Sequence, residues 1–242
     1  MVNLLNNDIE LIKKYVAKDK IDEALKKLDK GIPVQYIIGN VEFYNSLIEV
    51  NENVLIPRFE TELLVEKTIN YLKSMFDKTI DIIDLGTGSG CIAIALKKEL
   101  DANITAVDIS ADALEVAKKN AKNNNVDIEF ILHDITMPFN KKYDCIISNP
   151  PYLTNNSNIE KSVLDNEPHI ALFAKDNGLY YYKKILEYKD IMLNKKGLIA
   201  FEIGDNQKEL LEEYINTNYK DLKYSFEKDL TGRYRYLFIF SE

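Results

Sequence analysis

From about residue 60 onward, apolar strand-like runs alternate with helical segments, and this alternation limits the fold of the 242-residue chain more than any other feature. Short apolar runs bounded by turn residues predict strands at 80–85, 104–107, 128–132, 143–148 and 197–203. Helical spacing of apolar residues predicts helices at 60–76, 90–100, 111–124, 178–193 and 207–215. Two further β-like runs, 223–227 and 234–240, are joined by a hairpin-length link. The pattern predicts an α/β fold, a mostly parallel sheet with helices on both faces and one antiparallel terminal strand.

Two smaller parts precede this domain. Apolar residues recur at helical spacing near the N-terminus, at Leu4, Leu5, Ile9, Ile12, Ala24, Leu25 and Leu28. Gly31-Ile32-Pro33 stops the second of these helices. β-like runs then follow at 34–38, 41–44 and 47–50. We therefore divide the chain into a helical segment at 1–32, a bridging β-hairpin at 33–59 and a main domain at 60–242.

Composition narrows the class of protein. Apolar residues make up 46% of the chain, and no apolar run approaches the roughly 18 residues that span a bilayer. The formal net charge of −8 disfavours a protein that grips a phosphate backbone, without excluding one. The N-terminus lacks the basic region of a signal peptide. Cys91 and Cys145 lie in core-like segments, so we expect buried thiols, no metal site and a cytoplasmic protein.

The stretch Asn149-Pro150-Pro151-Tyr152 directly follows the apolar run at 143–148. Prolines lack the N–H that a sheet requires, so the strand ends here, at the carboxyl edge where open α/β sheets bind ligands. The proline carbonyls and the Asn149 amide can then accept hydrogen bonds from a ligand, beside the flat ring of Tyr152. They form a slot suited to a planar NH2 group. Taken alone, the stretch is equally compatible with a strand-terminating turn and an ordinary asparagine cap.

A glycine-rich loop, Gly86-Thr87-Gly88-Ser89-Gly90, follows the first strand of the main domain. Glycines permit a tight turn and the close approach of a ligand, and the next helix begins with free N–H groups. A dinucleotide site has the spacing G-x-G-x-x-G, but here the third glycine comes one residue early. The loop resembles motif I of class I methyltransferases, which bind S-adenosylmethionine.

Acidic residues end the next two strands. Asp108 comes 18 residues after Gly90, where a carboxylate can accept both ribose hydroxyls. The alternative is an acidic residue at a helix N-terminus, ahead of Ser110. Asp134 ends the third strand, where methyltransferases of this class hold the adenine. It can accept from the adenine amino group while Ile135 covers the ring. For the preceding His133 an ordinary polar turn is the alternative, and we assign it no role.

The glycine loop, the acidic strand end and Asn149-Pro150-Pro151-Tyr152 together resemble the amino-methylating class I methyltransferases. These enzymes methylate adenine in DNA, guanine in ribosomal RNA, or glutamine in peptide chain release factors. The hairpin region from Gly31 to Gly39 looks like that of the release factor glutamine methyltransferase family. Leu55-Ile56-Pro57-Arg58-Phe59-Glu60-Thr61-Glu62 is similar to its L-I-P-R-P-E-T-E signature. Further matches follow in order: Glu167-Pro168, Ala171-Leu172, Asp176, Gly178-Leu179, Phe201-Glu202-Ile203-Gly204, Asp229, Gly232 and Arg233.

The resemblance covers roughly residues 31–242 and implies a Rossmann-like sheet of seven strands. It implies methyl transfer from S-adenosylmethionine, with S-adenosylhomocysteine as product, to the glutamine amide nitrogen in the Gly-Gly-Gln loop of class I release factors. The implied catalytic residues are Asn149, Pro150 and Tyr152. The implied cofactor-binding residues are Gly86, Thr87, Gly88, Ser89, Gly90, Asp108, Asp134, Ile135 and Asn149. The implied substrate-binding residues are Asn149, Pro150, Pro151, Tyr152, Arg58 and Glu167; for the last two, a structural salt bridge is the alternative.

Two departures accompany this resemblance. Phe59 replaces the usual proline of the signature, and about 30 residues precede the hairpin where the family carries a longer helical domain. We expect a monomer that acts on a protein, with no membrane and no direct nucleic acid partner. One competing hypothesis is a methyltransferase acting on adenine or guanine of nucleic acid, which predicts a basic patch. A second is a non-catalytic cofactor sensor, which predicts a damaged Asn149-Pro150-Pro151-Tyr152 slot.

Overall fold

The structure is a computed structural model that describes residues 2–241, with side chains from residue 6 onward. Over that range the helices are α1 (Val2–Tyr15), α2 (Ile21–Asp29), α3 (Val34–Ile38), α4 (Phe59–Met75), α5 (Cys91–Glu99), α6 (Ala111–Asn123), α7 (Lys161–Asn166), α8 (Tyr180–Glu187), α9 (Lys189–Met192) and α10 (Lys208–Asn218). The strands are β1 (Asn40–Phe43), β2 (Ser46–Glu49), β3 (Ile80–Leu85), β4 (Ala102–Asp108), β5 (Glu129–Leu132), β6 (Tyr143–Ser148), β7 (Leu193–Glu202), β8 (Lys223–Lys228) and β9 (Tyr234–Ser241).

The described strands of the main domain form one seven-stranded sheet in the order β5-β4-β3-β6-β7-β9-β8. The pairings from β5 to β7 are parallel, whereas β9 is antiparallel to both β7 and β8. The α/β class and the antiparallel terminal strand predicted from the sequence are therefore confirmed. The direction of chain progression reverses between β3 and β6. Open α/β sheets bind ligands beyond the carboxyl ends of the strands at such a switch point.

Successive residues of the central strands face opposite layers of helices. Ile82 of β3 packs in the layer that includes α4 and α5, and its neighbour Ile83 packs in the layer that includes α8 and α10. Both side chains are fully buried. A parallel strand covered on both faces is apolar along its whole length, because its side chains alternate between two cores. This explains why the sequence carries continuous apolar runs rather than an alternating pattern.

The N-terminal helices form a small core of their own. Ile12 of α1, Ala24 of α2 and Val34 of α3 are buried against one another. The β1–β2 hairpin then connects this part to the main domain, since Phe43 and Ile48 belong to the core beneath α4 and α5. Side chains of Leu4 and Leu5 lie outside the described residues. None of the described helices is long and apolar enough to cross a membrane.

One sequence prediction of secondary structure is wrong, one holds only in part, and one helix was not predicted. Residues 34–38, predicted as a strand of the hairpin, form the short helix α3, which Pro33 precedes and which Gly39 ends in a left-handed conformation with φ of 87°. The predicted helix at 178–193 is interrupted at Tyr188 and ends at Met192, where β7 begins one residue later. Helix α7 was not predicted at all. Local turn chemistry explains α3, because Pro33 suits a helix start and Gly39 a helix end.

Candidate active site

A cleft lies at the carboxyl ends of the parallel strands, next to the switch point between β3 and β6. Its empty volume is about 940 Å³, open solvent at the mouth included, which is the size range of small-molecule sites. Strand ends supply its floor through Gly86 after β3, Asp108 at the end of β4 and Asn149 after β6. The structure thus brings these three predicted site positions together in one cleft.

The glycine loop contributes to the cleft through two of its glycines only. Gly86 and Gly88 line the cleft with φ of 77° and 55°, a backbone region that favours glycine. The other residues of the loop do not line the cleft and instead stabilise the loop through contacts with its surroundings. Thr87 is buried and donates to Asp84 Oδ2 at 2.6 Å, and the Ser89 carbonyl accepts from Asn120.

Gly90 has a packing role. It has φ of 82°, and a Cβ placed there would lie 3.1 Å from Cβ of Ala117 on α6. The third glycine of the pattern therefore allows α5 and α6 to pack closely. Thr87, Ser89 and Gly90, predicted to bind the cofactor, are not among the residues that line the cleft.

Asp108 braces the glycine loop as well as lining the cleft. Its Oδ2 accepts from the Gly88 backbone N–H at 2.9 Å, and its Oδ1 accepts from the Ser110 N–H at 2.9 Å. Burial raises the pKa of Asp108, and the two backbone hydrogen bonds oppose that effect. Both alternatives for this residue are thus compatible with its position, because the same carboxylate supports the start of α6 and faces the cleft.

Asp134 and Ile135 follow β5 and also line the cleft. Asp134 Oδ1 accepts from the backbone N–H and the hydroxyl of Thr136, both at 2.8 Å, which is an Asx turn. Ile135 lines the cleft near Gly86 and contributes an apolar side chain there. Together they place an acceptor and an apolar wall at one end of the cleft.

Two of the four residues in the stretch after β6 are among those that line the cleft. Asn149 and Pro151 line the cleft, whereas Pro150 is buried and Tyr152 is half-buried. The Tyr152 hydroxyl donates to Glu202 Oε1 at 3.3 Å. Burial, together with the nearby Glu202 carboxylate, raises the pKa of Tyr152, so the phenol stays protonated near neutral pH.

Asn149 has a polar partner on a distant element. Its Nδ2 donates to Oγ1 of Thr61 in the first turn of α4 at 3.1 Å, and that hydroxyl donates to Glu202 Oε2 at 2.6 Å. Thr61 is 3% exposed and Glu202 is 2% exposed. Sequence reasoning included both residues in family motifs but gave neither a role. The chain of hydrogen bonds joins β6, α4 and β7 directly behind the cleft.

Two glycines allow other backbone to approach Tyr152. A Cβ on Gly178, whose φ is 83°, would lie 2.2 Å from the Tyr152 carbonyl oxygen. A Cβ on Gly204 would lie 3.2 Å from the Tyr152 ring. Gln207 completes this support, because its side chain accepts from the Gly204 N–H at 2.8 Å and donates to the Tyr152 carbonyl at 3.2 Å.

Arg58 and Glu167 form a salt bridge at the rim of the cleft. The Glu167 side chain is 1% exposed, and its second oxygen accepts from the Ile56 backbone N–H at 3.1 Å. The structure therefore contains the salt bridge that was the alternative to substrate binding for these two residues. This bridge connects the segment before α4 to the loop after α7. Those two segments contribute further lining residues, namely Asn53, Val54, Leu55, Pro168, Ile170 and Ala171.

Sequence reasoning missed two aromatic residues of the cleft. Tyr180 and Tyr181 begin α8 and line the cleft, with their rings in an edge-to-face contact at 5.3 Å. The nearby Asp134 carboxylate and, to a greater extent, burial raise the pKa of Tyr181. The signal in the sequence was the run Tyr180-Tyr181-Tyr182 directly after Gly178-Leu179. Only Tyr182 of the three is fully buried.

Residues 60–169 match the family described as Methyltransferase small domain. A release factor glutamine methyltransferase of Flavobacterium psychrophilum is 45% identical over 225 residues, covering 88% of this chain and 77% of that protein. One from Streptococcus pneumoniae is 39% identical over 221 residues, covering 90% and 78% respectively.

The fold is also found in solved structures. A T. thermophilus 16S rRNA N2 G1207 methyltransferase, in complex with AdoMet and guanosine, superposes with a TM-score of 0.60 at 16% identity. The superposition covers 84% of this chain and 50% of that one. At this identity the likeness concerns the fold alone.

Proposed function

Because this chain belongs to the release factor glutamine methyltransferase family, we propose that it methylates the glutamine of the Gly-Gly-Gln loop in class I peptide chain release factors. It is an S-adenosylmethionine-dependent methyltransferase. The methyl group moves from the sulfonium sulfur to the glutamine side-chain amide nitrogen, which then loses a proton, and the second product is S-adenosylhomocysteine. The observation that carries the proposal is the place of Asn149. Its side chain lines the cleft while Thr61 engages its NH2 group, so its oxygen remains to accept from a substrate amide.

The cleft fits the cofactor in size and in chemistry. Asp108 would accept the ribose hydroxyls, Asp134 would accept from the adenine amino group, and Ile135 would cover the adenine ring. Gly86 and Gly88 let the backbone approach closely, and Asn149 borders both the cofactor and the substrate. Thr87, Ser89 and Gly90 would contribute by holding this loop in shape. When bound, S-adenosylmethionine supplies an electrophilic methyl group.

An amide nitrogen is a poor nucleophile because its lone pair is delocalised into the carbonyl. The Asn149 side-chain oxygen and the Pro150 carbonyl would accept the two amide hydrogens of the substrate. These acceptors fix the nitrogen and stabilise the positive charge that develops on it during transfer. Pro151 and Tyr152 would pack beside the amide plane and exclude water. Holding the reacting atoms in line can supply on the order of 7–11 kcal/mol of the barrier.

Arg58 and Glu167 contribute indirectly to substrate binding in this proposal. Their salt bridge fixes the two segments that form the rim over which a substrate loop must enter. We also propose that residues 60–242 form the catalytic domain, and that the helical segment at 1–32 and the bridging hairpin at 33–59 precede it. We propose that the protein is a cytoplasmic monomer without direct nucleic acid contact, which is consistent with a translation factor as its partner.

Incubation with radiolabelled cofactor tests the proposal. The purified protein is offered a class I release factor or total RNA in parallel reactions. Label on the release factor supports the proposal. Label on RNA supports the nucleic acid methyltransferase instead, and label on neither supports a cofactor sensor. A release factor whose Gly-Gly-Gln glutamine is replaced by alanine is the matched control, because it retains the protein surface and lacks the acceptor nitrogen.

A further inference from the structure

Glu202 is a buried carboxylate behind the slot, and it faces the slot with both of its oxygens. It ends β7, and its side chain lies between α4 and the stretch after β6. One oxygen accepts from the Thr61 hydroxyl at 2.6 Å and the other from the Tyr152 hydroxyl at 3.3 Å. Through these two hydroxyls, one carboxylate reaches both ends of Asn149-Pro150-Pro151-Tyr152.

The hydrogen bonds have a fixed direction. An ionised carboxylate can only accept, so the Thr61 hydroxyl must donate its one hydrogen to Glu202. Toward Asn149 that hydroxyl can then only accept. It therefore selects the NH2 end of the Asn149 amide, 3.1 Å away, and leaves the oxygen for the cleft. The charge on Glu202 thus determines the orientation of an amide that it does not touch.

We infer that Glu202 is a positioning residue for methyl transfer, acting through the Thr61 hydroxyl to keep the side-chain oxygen of Asn149 directed at the substrate amide. The inference rests on the proposed function, since it concerns the same slot. It adds two residues, Thr61 and Glu202, neither of which needs to touch the substrate. It also adds a condition for activity, namely that the carboxylate is ionised.

Protonation of Glu202 would abolish the fixed direction of the hydrogen bonds that run from Asn149 through Thr61 to Glu202. A neutral carboxyl group can donate to the Thr61 oxygen, which frees the Thr61 hydrogen to point at Asn149. The inverted amide would then place its oxygen on Thr61 and its NH2 group toward the substrate NH2. Two donors facing each other cannot form a hydrogen bond, so the substrate nitrogen loses one of its two acceptors.

The surroundings of Glu202 place this titration near neutrality. Burial is the largest effect and raises the pKa of Glu202 to about 7, with Glu60 adding to it and Thr61, Arg235 and Tyr152 opposing it. The titratable and charged groups that face this carboxylate come from α4, the stretch after β6, α8, β9 and α5, and they are Glu60, Tyr152, Tyr182, Arg235, Tyr236 and Cys91.

Paired variants of threonine test the role of the hydroxyl. Thr61→Val keeps the shape of the side chain and removes the hydroxyl, whereas Thr61→Ser keeps the hydroxyl. Thr68→Val is the control, because Thr68 is buried in the same helix and donates only to the Leu64 carbonyl at 2.7 Å. We expect Thr61→Val to lower kcat about tenfold or more with KM for the release factor changed less than about twofold. Thr61→Ser and Thr68→Val are expected to retain kcat within about threefold.

The pH profile separates positioning from a merely structural role. In the wild-type protein kcat is expected to rise through pH 7, with an acidic limb that follows one titrating group. In Glu202→Gln this limb is expected to disappear, because glutamine does not ionise. A wild-type kcat in Thr61→Val, or an unchanged acidic limb in Glu202→Gln, would overturn the inference.

Nuclear magnetic resonance of the Asn149 side-chain NH2 group decides the inference independently of turnover. In the wild-type protein its two amide signals are expected to shift between pH 6 and pH 8 with a midpoint near 7, and this shift is expected to vanish in Glu202→Gln and in Thr61→Val. Wild-type signals that do not shift with pH, or signals that shift with pH equally in both variants, would contradict the inference. A wild-type protein that leaves release factors unmethylated refutes the proposed function, while these signals still test the positioning of Asn149.

Discussion

Arg58 donates a charge-assisted hydrogen bond to Glu167, and this pair joins two segments separated by 109 residues. The carboxylate is almost inaccessible, while the guanidinium side chain is 35% exposed. Charge-assisted hydrogen bonds of this kind are among the stronger polar contacts in proteins. The pair holds together the two segments at the rim of the cleft, namely the segment before α4 and the loop after α7.

Glu167→Gln removes the charge but keeps the shape of the side chain. We expect a loss of about 1–3 kcal/mol in the free energy of unfolding, together with severalfold weaker cofactor binding, because the Arg58 guanidinium loses its ionic partner. Chemical denaturation and calorimetric titration with S-adenosylmethionine measure the two effects. Glu115→Gln is the control, since Glu115 forms an exposed pair with Lys118. Equal values for both variants would show that the pair does not hold the rim.

Gly178→Ala is expected to displace the backbone at Tyr152. The new Cβ would lie 2.2 Å from the Tyr152 carbonyl oxygen and 2.3 Å from Gln207 Nε2, so the stretch after β6 must move. A loss of 1 Å in alignment can lower a rate about 100-fold, and we expect an effect of that order on kcat.

Gly31→Ala is the matched control for this variant. Gly31 has the same φ of 83° but open space around its Cβ position, so it carries the backbone strain without the clash. Steady-state kinetics of both variants, with melting temperatures alongside, separate the two effects. A kcat that falls equally in both would point to backbone strain as the cause.

Asp108→Asn is expected to weaken cofactor binding about tenfold or more. An asparagine amide can accept with only one oxygen, so the hydrogen bonds to the Gly88 and Ser110 N–H groups cannot both survive, and the ribose loses an acceptor. Isothermal titration with S-adenosylhomocysteine measures the change. Asp112→Asn, on the exposed first turn of α6, serves as control and is expected to bind normally.

The free energy of unfolding is expected to fall as the pH rises from about 5 to 7. Burial raises the pKa of both Asp84 and Glu202 to about 7, from ordinary values of 3.8 and 4.5. Between those values the folded protein holds protons that the unfolded chain releases, so raising the pH favours unfolding. Above about pH 7 both carboxyl groups are charged in either state, and this contribution levels off.

Melting temperatures across that range measure the effect. Glu202→Gln is expected to reduce the slope, since one of the two buried groups no longer ionises, whereas Glu115→Gln retains the wild-type slope. A wild-type melting temperature that rises steadily from pH 5 to pH 7 would contradict the assignment. The prediction is opposite in sign to that for activity, which needs the charged form of Glu202.

The sheet could be predicted from the sequence because strands that are buried on both faces carry continuous apolar runs. The run at 143–148 coincides with β6, and Asp108 at the end of β4 and Asp134 after β5 both line the cleft. The stretch at 34–38 could not be read in this way. Its apolar residues are typical of a strand, and the helix there depends on Pro33 and Gly39 and on packing of Val34 against α1 and α2.

The parts of the site that escaped prediction depend on contacts between distant residues. Nothing local to Thr61 indicates that it meets Asn149, 88 positions later, or Glu202, 141 positions later. The cleft position of Tyr180 and Tyr181 likewise depends on how α8 packs on the sheet. Motifs indicated which residues matter, and the tertiary structure was needed to show which of them touch.

Mass spectrometry of a class I release factor after incubation with this protein and S-adenosylmethionine tests the central claim most directly. The account predicts a gain of one methyl group on the Gly-Gly-Gln glutamine with the wild-type protein. It predicts almost none with Asn149→Ala, although that variant binds the cofactor within a few-fold of wild type. A methyl group at any other residue, or a release factor that stays unmodified while RNA becomes methylated, would contradict it.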